Sequence, residues 1–216
     1  MKKSEWQGMT THQKIGYIRD YYTLHIIAAV LTIAAVGWAL NHYIFNPPPS
    51  TFVNISFYGQ LIPDELRAAI SADLTNSLVE EGVNYVVVVD NFFITSDPQF
   101  DMAMTQRLVA MVAARELDIL VISPGEVYDF IEGGFAQDLR DVFSVNELAR
   151  FFDMGNAMVS VDNMPAGLQL AYFPYFRDLG QRLWLNFDGW TLIVLTNSER
   201  DGAVQAFLNY TLFYYE

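Results

Sequence analysis

The side chains that most often carry enzyme chemistry are scarce in the long segment that follows Asn46. The chain has no cysteine, and its three histidines, His12, His25 and His42, all lie before that segment. Residues 47–216 therefore cannot contain a cysteine nucleophile, a histidine general base or a zinc site built from thiolates and imidazoles. Motifs of the GxSxG, P-loop and GxGxxG types are also missing from the sequence.

Three carboxylates remain as candidates for chemistry: Asp90, Asp97 and Asp101 flank the segment NFFITSDPQF. Oxygen ligands of this type can bind calcium, but their spacing does not match an EF-hand loop. The simpler interpretation is structural, with a turn at Asp97-Pro98 and a favourable negative charge at Asp101 in the first turn of a helix. A glycosidase pair among the other acids stays open, although the sequence singles out no pair. We therefore assign no catalytic residue, metal ligand or cofactor.

Leu24–Phe45 is an apolar run (LHIIAAVLTIAAVGWALNHYIF) that predicts a transmembrane helix. At 1.5 Å per residue this run would extend over about 33 Å, and the hydrocarbon core of a bilayer is about 30 Å thick. Aromatic residues lie near both ends, as in an interfacial belt: Tyr17, Tyr21 and Tyr22 before the centre, and Trp38, Tyr43 and Phe45 after it. The alternatives are a buried core helix and a signal peptide cleaved after Gly37-Trp38-Ala39.

The charges on the two sides of this run differ in sign. Residues 1–23 carry +4 − 2 = +2, and residues 47–216 carry +8 − 23 = −15. The positive-inside rule then predicts a cytoplasmic flank at 1–23, a membrane span at 24–45, a proline-rich linker at 46–51 and an extracytoplasmic domain at 52–216. The strong negative charge excludes nucleic acid as a partner and disfavours anionic lipid headgroups. The predicted localisation is therefore the cell membrane.

Strands and helices alternate after Phe52, which predicts an α/β domain with a doubly wound, mainly parallel sheet. The predicted strands are Phe52–Tyr58, Asn84–Ile94, Asp118–Ser123, Ala157–Val161, Arg182–Phe187 and Trp190–Thr196. The predicted helices run from Pro63 to a stop at Gly82, and over Gln99–Glu116, Pro124–Glu132, Val145–Phe152 and Arg200–Phe213. The valine run in the second strand is typical of a strand buried on both faces.

Leu108–Phe143 resembles part of the extracellular solute-binding proteins with a type II periplasmic-binding-like fold. The resemblance rests on a succession of small residues, an acid, an apolar strand, a helix, a glycine and an Asp-Leu turn: Ala113-Ala114, Asp118, Ile119–Ile122, Val127–Ile131, Gly134 and Asp138-Leu139. Trp190–Asn197 with Gly202–Tyr210 is similar to the return to the first lobe in that family, and Asn54–Tyr58 with the helix from Pro63 is similar to its opening unit. Tyr17, Tyr21 and Tyr22 resemble a juxtamembrane segment of small single-pass proteins of Gram-positive bacteria. The resemblance implies one lobe of such a protein, because only Arg140–Phe187 is left for a second.

Ligands of open α/β sheets bind beyond the carboxyl ends of the strands. Those ends supply the ligand-binding candidates Tyr58, Gln60, Asp90, Ser123 and Glu126. Ser123 has a simpler alternative role as the N-cap of the following helix. Two aromatic clusters, at Tyr172–Phe176 and Tyr210–Tyr215, belong either to the core or to a contact surface.

These features together predict a membrane-anchored extracytoplasmic binding or accessory protein that resembles solute-binding proteins. Its expected partners are the lipid bilayer through residues 24–45, a small solute and a membrane protein such as a transporter. The alternative hypothesis is a carboxylate- or metal-dependent surface hydrolase.

Overall fold

The computed structural model describes residues 10–95, 97–153, 157–183 and 186–214. The chain forms two compact units, residues 1–49 and residues 50–216. In the first unit, helix α1 (Thr11–Leu40) continues into a π-helical turn at Asn41–Phe45. Arg19–Phe45 is long and apolar enough to span a membrane, with a mean hydropathy of 2.0. Three charged residues of the predicted basic flank, Lys2, Lys3 and Glu5, lie outside the described residues.

A capping box starts helix α1. The backbone amide of Gln13 donates to the hydroxyl of Thr10 at 3.4 Å, and the amide of Thr10 donates to the Gln13 side chain at 3.0 Å. This reciprocal pair satisfies two amide groups that the first turn of a helix leaves without a partner. The helix thus begins 13 residues before the apolar run that was predicted to span the membrane.

One six-stranded sheet organises the second unit. Its strands are β1 (Ser50–Gly59), β2 (Tyr85–Phe93), β3 (Ile119–Ile122), β4 (Met158–Val161), β5 (Met164–Gln169) and β6 (Thr191–Val194), in the spatial order β2-β1-β3-β6-β5-β4. β1 is parallel to β2 and β3, and the other three pairings are antiparallel. The predicted α/β class is confirmed, but the prediction of a mainly parallel sheet is wrong.

The turn between β4 and β5 explains why these two strands of the mixed sheet are antiparallel. Asp162 and Asn163 both have positive φ angles, of 49° and 64°, and they join β4 directly to β5. A two-residue turn of this type can join only antiparallel strands. β4 and β5 therefore extend the same sheet, in the region that was left for a second lobe.

Helices cover the sheet on both faces. They are α2 (Asp64–Leu78), α3 (Pro98–Ala113), α4 (Val127–Glu132), α5 (Leu139–Val142), α6 (Val145–Asp153), α7 (Pro174–Leu183) and α8 (Asp201–Asn209). Side chains of β3 alternate between two buried clusters: Ile119 and Val121 pack with α2, α7 and α8, whereas Leu120 and Ile122 pack with α3 and α4. Period-two alternation with a cluster on each side is the pattern of a strand in the centre of a layered α/β domain.

One predicted element in the second half of the chain is wrong, and two observed elements were not predicted. Arg182–Phe187 is not a strand, because Arg182 and Leu183 end helix α7, while residues 184–185 lie outside the described residues. The strand β5 and the helix α7 themselves were not predicted. Most of the first aromatic cluster is nevertheless core, as Phe173, Tyr175 and Phe176 are buried. Of the second cluster, Tyr210 and Phe213 pack on the core, and Tyr215 lies outside the described part.

The valine-rich strand β2 lies at an edge of the sheet and not at its centre. Val87 and Val89 are buried, but Val86 and Val88 are only half-buried, so the prediction of burial on both faces is wrong. Helix α2 covers part of the free edge. Ser71 Oγ donates to the carbonyl of Val87 at 2.5 Å, and the amide of Val87 donates to Thr75 Oγ1 at 2.9 Å. These bonds satisfy backbone groups that an edge strand would otherwise leave open.

Candidate functional site

The carboxyl ends of β1 and β3 meet in a very close contact. Gly59 has a φ of +109°, and a Cβ atom placed on it would lie 1.9 Å from Ser123 Oγ. The amide of Ser123 also donates to the carbonyl of Tyr58 at 3.0 Å. The structure therefore brings Tyr58 and Ser123 together at the strand ends, but it leaves no space for a ligand between Gly59 and Ser123.

The Tyr58 ring is half-buried against Phe130, with a distance of 4.8 Å between ring centroids. Burial raises the pKa of the Tyr58 phenol, and the negative charges of Glu126, Asp101 and Asp129 raise it further. Glu126 itself is exposed. The charge of Glu126 thus acts on the Tyr58 phenol near the ends of the strands.

Ser123 does not cap the following helix, so that interpretation is wrong. The N-cap position of α4 is Glu126, and no side chain accepts a hydrogen bond there. The intervening turn includes Gly125 with a φ of +103°, and the N-cap of the helix lies three residues beyond Ser123. The side chain of Ser123 instead packs against Gly59.

Gln60 is exposed, and its backbone carbonyl accepts a hydrogen bond from Asn91. The buried Asn91 side chain donates to the carbonyls of Gln60 at 2.9 Å and Phe57 at 3.0 Å, and it accepts from the amide of Ile62 at 2.9 Å. Asn91 therefore fixes the end of β1 and the start of the loop behind it. Sequence reasoning missed this residue, although a lone asparagine in an apolar strand is a signal for a buried hydrogen-bonding role.

Asp90 lies three residues before the end of β2 and has structural partners. Its carboxylate forms a close ion pair with Arg107 of α3 and a second one with Arg67 of α2, at 3.8 Å. The amide of Asn91 donates to the same carboxylate at 2.9 Å. These bonds join two helices to the edge strand, so Asp90 is not free to act with the other candidates at the strand ends.

The two acids that follow Asp90 also have structural roles, as predicted. Asp97 accepts from the amide of Gln99 at 3.0 Å and caps α3, and Asp101 accepts from the amide and hydroxyl of Thr95 at 2.7 and 3.0 Å. Within the described parts of the chain, no group of three or more His, Asp or Glu side chains is arranged to hold a metal ion. Asp97 and Asp101 therefore organise the start of α3 together with Thr95, whereas Asp90 is bonded to Arg67 and Arg107.

An open cavity of about 580 Å³, which we call the strand-end pocket, lies at this same end of the sheet. Its lining residues lie in the chain between the end of β5 and the start of β6. Thr191, the first residue of β6, pairs with Ile122 at the end of β3 and with Gln169 at the end of β5, so this segment lies at the carboxyl end of β3. A Cβ atom on Gly189 would lie 3.0 Å from Pro124 Cγ, so the loop before β6 packs beside the residue after Ser123. The lining residues are Ala171, Phe176, Arg177, Gly180, Gln181, Asn186, Phe187 and Asp188.

The strand-end pocket combines an apolar base with charged and amide groups. The buried rings of Phe176 and Phe187 meet edge to face at 5.7 Å, while Arg177 and Asp188 are exposed beside them. Arg177 forms no ion pair with any acid that the structure describes, although Arg182 on the same helix pairs with Asp178 at 2.8 Å. A guanidinium in this situation is available to bind an anionic group.

The sequence alone did not single out these pocket residues, because Arg177 was not placed on a helix and Asn186 and Asp188 fell around a wrongly predicted strand. No protein-family model matches the chain, and no curated protein sequence matches it. The chemistry of the strand-end pocket is therefore inferred from the residues that line it.

Proposed function

We propose that this chain is a membrane-anchored extracytoplasmic binding protein whose strand-end pocket binds a small organic acid. The observation that carries the proposal is Arg177, a guanidinium without an acidic partner among the described residues, in an open cavity of small-molecule size. Cavities of roughly 300–1,000 Å³ with an apolar lining and a few polar groups are typical ligand sites.

The pocket favours a ligand with two chemical parts. An anionic group would bind the Arg177 guanidinium, because charge-assisted hydrogen bonds are about twice as strong as neutral ones. An apolar or aromatic part would pack on Phe176 and Phe187, whose rings form the buried base. Gln181, Asn186 and Asp188 offer hydrogen-bonding groups that would bind further polar atoms of the ligand.

The anchor supports the proposed location. Arg19–Phe45 is long and apolar enough to cross a bilayer. The charge changes from +2 in residues 1–23 to −15 in residues 47–216, and under the positive-inside rule this difference favours an outer location for residues 50–216. An outer domain held at the surface in this way could supply a solute to a transporter as its accessory subunit. The resemblance of Leu108–Phe143 to solute-binding proteins supports the same role.

The alternative of a surface hydrolase has less support. Its best candidates were Asp90, Asp97 and Asp101, and each of these carboxylates is bonded to a structural partner. The candidates Tyr58 and Ser123 are in tight packing contacts as well. A binding role instead relies on accessible groups of the strand-end pocket, such as the exposed Arg177.

A set of three matched probes tests the ligand class. Full-length protein in zwitterionic nanodiscs is titrated with 3-phenylpropionate, 3-phenylpropionamide and 3-phenylpropylamine, and heat is measured against empty nanodiscs. We expect the carboxylate to bind about 10- to 100-fold more tightly than the amide, since a hydrogen bond to a charged group contributes about 1.5–3 kcal/mol. Equal binding of all three probes, or tightest binding of the amine, would refute an anion site.

A further inference from the structure

A second open cavity lies at the opposite end of the sheet, where β1 begins, and we call it the β1–α8 pocket. Its volume is about 590 Å³. Its apolar wall is formed by Phe52, Leu78, Val79, Val83, Tyr85 and Ala203. Phe52 and Tyr85 meet edge to face at 6.4 Å, and 46% of both Val83 and Tyr85 remains exposed to solvent. The end of α2 and the start of β2 thus present unburied apolar side chains beside the first turn of α8.

The charges around this pocket are mainly negative. Glu80, Glu199 and Asp201 line it, and Arg200 is the one cation among the described residues of its lining. Arg200 is already neutralised by the buried Asp118, to which its Nε donates at 2.8 Å, and Glu199 pairs with Arg115. Glu80 and Asp201 therefore determine the local field, within a segment that carries −15 overall.

From this pairing of an apolar wall with an acidic rim, we infer that the β1–α8 pocket docks a short segment of a partner membrane protein. In that segment an apolar or aromatic side chain is flanked by lysine or arginine. The apolar side chain would bury against Phe52, Val83 and Tyr85, and the flanking cations would meet Glu80 and Asp201. Complementary charge of this type speeds association and selects the partner.

Charge repulsion disfavours two other occupants of this pocket, a second copy of the domain and anionic lipid headgroups. A second copy of this domain would carry −15 to the same acidic rim, and anionic lipid headgroups would be repelled in the same way. Thr51, which lines the pocket, lies two residues after Pro49, the last residue of the first compact unit. A partner in the same membrane is favoured, because tethering both proteins to one surface raises their effective concentration.

This inference rests on the membrane anchor of the proposed function and does not depend on the strand-end pocket. If the strand-end pocket does not bind a solute, the proposed docking at the β1–α8 pocket is unaffected. If docking fails, the proposed solute site is unaffected in turn. The two sites can therefore be tested separately in the same full-length protein.

The test places a benzoylphenylalanine photocrosslinker at Tyr85 or, as a matched control, at Tyr128, which is similarly exposed but lies on α4. After irradiation of native membranes, the crosslinked peptides are sequenced by mass spectrometry. We expect the Tyr85 position alone to yield one integral membrane protein, with crosslinks in a segment where an apolar residue adjoins Lys or Arg. The Tyr128 position should not yield this adduct.

A charge reversal provides the second readout. Glu80→Lys should lower the yield of the Tyr85 adduct at least fivefold, whereas Glu132→Lys, at the far end of α4, should leave it unchanged. The inference is overturned if both positions give the same adducts, or if the adduct is another copy of this chain. It is also overturned by an acidic segment, by lipid-only adducts or by equal effects of the two charge reversals.

Discussion

The fully buried carboxylate of Asp118 accepts a hydrogen bond from Arg200 Nε at 2.8 Å, across 82 residues of sequence. Ser198 Oγ donates to the same carboxylate at 2.6 Å, and the amide of Asn54 donates to it at 2.8 Å. These bonds join the middle of β1 and the start of β3 to the loop that leads into α8. Asp118 therefore fixes the end of the sheet at which the β1–α8 pocket lies.

Asp118→Asn should lower the free energy of unfolding by about 3–5 kcal/mol, because it leaves the charge of Arg200 without its partner. Arg115→Gln is the control, since its ion pair with Glu199 has both side chains more than half exposed and should contribute about 1 kcal/mol or less. Thermal unfolding of the full-length protein in detergent measures both changes. Equal destabilisation by the two substitutions would show that Asp118 does not hold this end of the sheet.

Gly59→Ala should be strongly destabilising, because its φ is +109° and the new Cβ would overlap the Ser123 side chain. Gly125→Ala is the matched control, with a φ of +103° and open space around its Cβ. We expect about 1–3 kcal/mol of backbone strain in both variants, and a further 1–3 kcal/mol or so from overpacking in Gly59→Ala.

The double variant Gly59→Ala with Ser123→Gly separates the two causes of that loss. Removing the Ser123 side chain should recover the overpacking part but not the backbone strain. If Ser123→Gly recovers nothing, the close contact between the strand ends is not the reason for the glycine.

The raised pKa of the Tyr58 phenol predicts that the folded protein loses stability in alkali. Burial and then the charges of Glu126, Asp101 and Asp129 raise its folded-state pKa above the ordinary value of 10.0. The folded protein therefore holds this proton more tightly than the unfolded chain, so the stabilisation is complete below pH 10 and is lost as the pH rises through the folded-state pKa. Chemical unfolding from pH 8 to pH 11 should show a smaller decline for Tyr58→Phe. An identical decline in both proteins would contradict the raised pKa.

The cysteine-free sequence allows a direct test of membrane orientation. Single cysteines replace the exposed residues Thr11, at the start of α1, and Ser160, on β4. A membrane-impermeant maleimide should label Ser160→Cys in intact cells, and it should label Thr11→Cys only after lysis. The reverse pattern would place the α/β unit in the cytoplasm and remove the basis for an extracytoplasmic role.

Local signals were sufficient to predict the first half of the fold. β1, β2, β3, α2 and α3 follow from apolar spacing and from caps such as Asp97, and these signals act over a few residues. The direction of β6 could not be predicted, since the apolar run Trp190–Thr196 fits a parallel or an antiparallel neighbour equally well. Helix α7 was missed because Pro174 and the adjacent aromatic residues obscure its helical period, although proline is favourable in a first turn.

The place of the proposed site could be inferred from the sequence, but the residues that form it could not. The rule that ligands bind beyond strand ends points to the end of the sheet at which the strand-end pocket lies, but Gly59 and Ser123 close the space between β1 and β3. The strand-end pocket is instead formed by α7 and the loop before β6, and their approach to β3 depends on long-range pairing. The burial of Asp118 likewise depends on Arg200, which no local pattern connects to it.

The dissociation constant of 3-phenylpropionate for three versions of the full-length protein tests the central claim most directly. We predict that Arg177→Gln weakens binding about 10- to 100-fold, because it removes the cation that meets the carboxylate. Arg182→Gln, on the same helix but paired with Asp178, should bind as the unmodified protein does. Unchanged affinity in Arg177→Gln, or equal losses in both variants, would contradict an anion site in the strand-end pocket.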